Sequence, residues 1–207
     1  MKKFSSLLLA SVVLMAAGTT SVLAQAPSRG SVAVFPVVFD DSGTTTSRAK
    51  AKEAMVEVFK KGGFKVLDDA AAAKAWKGKG YRVPTSARPP STDQLASFGR
   101  AAGVKYVSTA HVTFHTRSIW VNLGPKTISN STISVTVIES SSGKIVFEGD
   151  GEGRSDEKSD GLKVAGALLL TPLVTAVSGG PKTPHESRAA QIAAARALEK
   201  FVVVQDQ

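Results

Sequence analysis

The residues whose chemistry could matter are few and scattered. Asp40 and Asp41 stand side by side where the apolar run "VAVFPVVF" ends in "DDSG". Paired carboxylates can hold a metal or carry acid-base chemistry, but neighbours on a strand point to opposite faces and cannot jointly chelate an ion. Asp41, Ser42 and Gly43 are the residue types that turn a chain, so the pair reads as a turn. His111 and His115 share one face of a predicted strand. Four residues there span roughly 13 Å, too far for one metal, and their alternation with Val112 and Phe114 marks exposed polar positions. His185 falls in the first turn of a predicted helix, and no Asp or Glu is placed to complete a triad. Ser47, Ser141 and Ser155 each precede a lysine by three, the spacing of a β-lactamase-type nucleophile, without a companion motif. The acidic, Gly-rich run of Asp150, Glu152, Asp156, Glu157 and Asp160 has Arg154 and Ser155 where a calcium loop needs an oxygen ligand and a glycine, so it reads as a solvated loop. No catalytic residue, cofactor or metal is expected.

One cluster fits binding better than catalysis. Lys74, Lys77, Lys79, Arg82 and Arg88 are interleaved with Trp76 and Tyr81; a solvated basic loop is the commoner explanation of such a run, and if it binds, cations beside aromatic rings suit an anionic or sugar-bearing surface. The formal net charge of the 207-residue chain is +9, which favours anionic neighbours by a long-range attraction that salt weakens. There is no cysteine, hence no disulfide framework, thiolate metal site, Cys nucleophile or lipidated Cys. Met1, Lys2 and Lys3 followed by "LLLASVVLMAA" read as a signal peptide over residues 1–24, with cleavage after Ala24 and a mature start at Gln25. Residues 25–207 then form one domain, and an exported, periplasmic or secreted chain meets an envelope protein or an anionic envelope component rather than nucleic acid. The apolar segment "LKVAGALLLTPLVTAV", Leu162–Val177, centred on Leu168, Leu169 and Leu170, is short for a membrane span. It fits a core helix, a contact between copies in a homo-oligomer, or a peripheral membrane contact, in that order.

The elements that must position these residues follow from periodicity. Val32–Phe39 is almost continuously apolar and β-branched, as in a strand buried on both faces, with Pro36 marking an edge or a bulge. Thr46 or Ser47 can cap a helix whose apolar stripe is Ala51, Ala54, Met55, Val58 and Phe59, ended by Gly62 and Gly63. Phe64–Leu67 reads as a strand. Asp68 or Asp69 caps an Ala-rich helix to about Trp76, and a Gly- and Pro-rich loop follows. Ser91 and Gln94 have capping-box spacing before a helix with Leu95, Phe98 and Ala102 on one face and Gly103 at its end. Tyr106–Arg117, Thr127–Glu139 and Lys144 to about Gly149 make an antiparallel meander, turned near Asn122 and at "SSSG". Thr183, Pro184 and Glu186 open a last helix with Ala190, Ala193, Ala194, Ala197 and Phe201 as its buried stripe and Leu198 beside it. This order implies an α/β (α+β) domain: a mixed, mainly antiparallel sheet of about five strands covered by helices.

In that order "VAVFPVVFDDSG", "GGFKVLDDAAAAKAW", "LASFGRAAGVKYVSTAHVTF" and "VTVIESSSGKIVFEGDGEG" carry a resemblance. From Ser31 to about Val203 the chain resembles the bacterial envelope family of the curli-secretion protein CsgG, the synthase activator LpoB and the flagellar protein FlgO, with the TolB amino-terminal domain more distant. The resemblance implies a non-enzymatic, adaptor-like domain that binds or assembles envelope proteins. It departs from the family in lacking the lipidated Cys. The membrane-inserting hairpins of the curli member are not expected, because the turns here join strands of ordinary length. The alternative on sequence is a secreted hydrolase or a small-ligand-binding protein.

Overall fold

The computed structural model describes residues 29–35, 38–39, 43–121, 124–157 and 183–203. The first strand line comes in two pieces, β1 (Ser31–Val34) and β2 (Val38–Phe39). Helix α1 (Thr45–Lys61), strand β3 (Lys65–Val66), helix α2 (Asp69–Gly78) and helix α3 (Thr92–Ala102) come next. Strands β4 (Tyr106–Val121), β5 (Gly124–Glu139) and β6 (Ile145–Arg154) and helix α4 (Thr183–Val203) complete the order.

All strands lie in one open sheet in the order β3-β1-β4-β5-β6, with β2 prolonging the line of β1 along β4. β1 runs parallel to both β3 and β4, whereas β4-β5 and β5-β6 are antiparallel. The sheet is therefore mixed, with five strand positions, and its long ladders are the antiparallel ones. The two-sided burial read from the apolar run holds for β1. Val32 and Val34 join the core under α1 and α4, while Ala33 joins Trp76, Leu95 and Phe98 on the opposite face under α2 and α3. Alternation of β-strand side chains is what divides these neighbours between two cores.

Each helix is set by local signals. Ser91 and Gln94 form the expected capping box, and Gly103 ends α3 in the left-handed region at φ 67°. Asp68 caps α2, accepting from Ala70 N and Ala71 N, and α2 continues two residues past Trp76 to Gly78. In α1 the cap is Thr44 rather than Thr46 or Ser47: Thr44 Oγ1 accepts from Ser47 N at 3.0 Å. The whole α1 stripe from Ala51 to Phe59 is buried, as are Ala190, Ala193, Ala194, Ala197, Leu198 and Phe201 of α4.

Two findings correct the sequence reading. β4 and β5 are not of ordinary length. Each has 16 residues, because the ladder continues beyond Arg117 and begins before Thr127, up to the pair Val121–Gly124. The last buried side chains are Phe114 on β4 and Ile128 on β5, so the far end of the hairpin stands clear of both cores. Second, the "GDGEG" stretch is not loop but strand β6. Gly149, Gly151 and Gly153 all face α4, and a Cβ there would lie 2.4, 2.0 and 2.1 Å from the carbonyl oxygens of Ala197, Ala193 and Ala189. Glycine on the strand is what lets the helix backbone approach so closely. The turn at Asp40 and Asp41, the turn residue Asn122, the segment Leu162–Val177 and the leader 1–24 lie outside the described residues.

Candidate partner-binding site

Helix α2 and the loop after it carry the basic cluster. Lys74 and Lys77 project from α2, Lys79 caps its end, and Arg82 and Arg88 sit on the loop; all five are exposed. The loop is closed on itself by a backbone bridge in which Arg88 N donates to Thr85 O at 2.9 Å. Among the described residues, none of these five side chains has an ion-pair or hydrogen-bond partner.

The two aromatic residues of the cluster are placed differently from the cations. Trp76 is 6% exposed, its ring 4.3 Å from Phe35, 4.7 Å from Tyr81 and 5.8 Å from Phe98, centroid to centroid. Its indole N–H donates to Arg82 O at 2.9 Å and so pins the loop to the helix. Trp76 thus belongs to the core under α2, and Tyr81 is half-buried against it. What these rings form is the floor of a groove of about 630 Å³. Ala72, Ala73, Val83 and Pro84 make its apolar walls; Lys77, Arg82, Lys52 and Asp69 stand at its rim. Lys52 and Asp69 neutralise one another at 2.8 Å, whereas Val83 is 82% exposed at the lip. Leu168, Leu169 and Leu170, the other half of the expected surface, lie outside the described residues.

Sequence reasoning missed a buried polar knot on the other side of the molecule. Glu186, 3% exposed, accepts from Ser47 Oγ at 2.6 Å and from Thr116 Oγ1 at 3.1 Å. Thr116 Oγ1 also lies 2.9 Å from Ser129 Oγ, and Ser129 N donates to Ser155 Oγ. Ser47 is therefore spent on a carboxylate, and Lys50 on Glu53, so the Ser-x-x-Lys spacing there joins nothing. Glu186 and Thr116 line a cleft of about 650 Å³ with Thr44, Phe114, His115 and Asn130. His111 and His115 are exposed on the open sheet face. Asp156 is held by Arg154 Nε at 2.7 Å and Lys126 at 3.6 Å, and Glu157 by Arg196 at 2.8 Å. Among the described residues no group of three or more His, Asp or Glu could hold a metal ion, and no helix is long and apolar enough to cross a membrane.

No family model and no curated protein matches the sequence. Among solved structures, the chain is similar to lipoprotein GNA1162 from Neisseria meningitidis, with 17% identity over 68% of this chain and 93% of that one and a TM-score of 0.47. It is similar to the C-terminal domain of LpoB from Escherichia coli, with 16% identity over 59% and 81% and a TM-score of 0.41. A third is the PelC dodecamer from Paraburkholderia phytofirmans, with 14% identity over 81% and 85% and a TM-score of 0.42.

Proposed function

We propose that this is an exported, non-enzymatic binding or assembly protein of the bacterial cell envelope, periplasmic or secreted, that docks on an envelope protein or an anionic envelope component. The observation that carries this reading is the set of five exposed cations, Lys74, Lys77, Lys79, Arg82 and Arg88, left without carboxylate partners among the described residues, two of which, Lys77 and Arg82, stand at the rim of an apolar groove. Unneutralised charge at the edge of an apolar surface speeds encounter with an acidic partner, and burial of the apolar part then holds the complex. The family resemblance of the sequence and the signal-peptide reading of residues 1–24 support the envelope as the place.

Crosslinking in intact cells followed by capture of the chain tests the reading. A specific envelope component should be recovered, its association slowed by raised salt and by replacing Lys77, Lys79, Arg82 and Arg88 with Glu. Recovery of nothing reproducible would end the proposal. So would a hydrolytic activity of the purified protein that vanished in a folded Asp40→Ala plus Asp41→Ala variant.

A further inference from the structure

We infer that the groove floored by Phe35 and Trp76 is a recognition pocket for an acidic, extended segment of a partner protein, which inserts one large apolar side chain while its carboxylates meet Lys77 and Arg82. This rests on the binding-protein reading above and names the site and the chemistry of its occupant. The groove's volume lies within the range of ligand pockets, and the polar group of its most deeply buried part, the Trp76 indole N–H, is already satisfied by Arg82 O, with Tyr81 the half-buried ring beside it. What enters is therefore apolar where it touches the floor. The rim sets the flanking chemistry. Lys52 is cancelled by Asp69, which leaves Lys77 and Arg82 as the charges facing an occupant, and both are positive. Val83, a large aliphatic residue held out in solvent at the lip, would be covered as the segment lies down. Base stacking cannot use the Trp76 ring, which is buried. A loop pinned at Trp76 and closed by the Thr85–Arg88 bridge pre-forms the pocket, which reduces the ordering cost of binding.

The test uses the full mature chain and a five-residue peptide with a central phenylalanine between aspartates and glutamates, together with versions carrying alanine at the centre or lysine at the flanks. The chain has two tryptophans, so the indole N–H resonance of Trp76 reports the pocket while that of Trp120, on the hairpin, serves as the internal control. The acidic phenylalanine peptide should shift the Trp76 resonance in a saturable way; the alanine and lysine versions should bind at least tenfold more weakly. Ala73→Trp, which fills an exposed wall of the groove, and Arg82→Glu should each abolish the shift and lower recovery of the crosslinked envelope partner. A Trp76 signal unmoved by the peptide overturns the inference. So does an equal response to vesicles of phosphatidylglycerol, or undiminished partner recovery by a folded Ala73→Trp chain; the binding-protein reading survives that last result and fails only if the parent chain recovers no partner.

Discussion

The Glu186 carboxylate ties the first turn of α4 to α1 and β4. Glu186 reads as an N-terminal helix residue from its spacing to Thr183, yet its oxygens are taken by Ser47 and Thr116, the former 139 residues away in the chain. Glu186→Ala removes the acceptor shared by both hydroxyls, leaving Ser47 only Thr44 and Thr116 only Ser129, and should cost roughly 1–3 kcal/mol in urea unfolding, with Glu186→Gln costing less because an acceptor remains. Gly151 is a sharper case. A methyl there meets Ala193 O at 2.0 Å, so Gly151→Ala must push α4 away from β6 and should destabilise by at least about 1–3 kcal/mol. This packing had a signature in the sequence: glycines two apart on a strand repeat every ~6.7 Å, close to the ~6 Å of alanines four apart on a helix. The alternating acids between the glycines drew the reading towards a solvated loop. Asp156 has its own pH signature. Partial burial would raise its pKa, but the Arg154 hydrogen bond and the charges of Arg154 and Lys126 outweigh that and hold it below the ordinary carboxylate value. A lowered carboxylate stabilises fully above its unfolded pKa and loses that contribution as pH falls through the folded one. The difference in urea midpoint between the parent and Asp156→Asn should therefore be present at pH 7 and vanish in strong acid, and it should be small, since the pair is half in water.

The elements divide by how completely something covers them. β1 was legible because burial on both faces writes an unbroken apolar run, and α3 because its cap, stripe and terminal glycine agree. The ends of β4 and β5 were not legible. Past Phe114 no side chain of β4 is fully buried, so the period-two contrast that marks a strand fades while backbone pairing continues to Val121–Gly124. Trp120, 83% exposed, sits on this uncovered stretch. Trp120→Ser should leave the urea midpoint within about 0.5 kcal/mol of the parent. Amide exchange should quicken stepwise from Thr116 to Val121 and from Ile128 back to Gly124, since local opening there breaks hydrogen bonds without exposing core. Protection uniform along all 16 residues would show that something covers the hairpin after all.

At the level of the whole molecule, the layers follow from chain order, whereas the parallel pairing of β1 with β3 and β4 does not announce itself in residues as short as Lys65–Val66. The basic cluster was visible as composition, but only the fold sends its aromatic members inward as a floor and its cations outward as a rim. Mass spectrometry of exported protein should find the chain starting at Gln25; a retained Met1 would refute the leader reading. The closure of the main core by α4 has a kinetic consequence. The β4-β5-β6 meander joins near neighbours through short turns, but α4 must return to α1 across more than a hundred residues. Loop-closure entropy has to be spent before those contacts return anything, which places them late on the folding path. Removing the Glu186 carboxylate should then hasten unfolding far more than it slows refolding, so α4 acts as the latch that sets how long a folded molecule lasts.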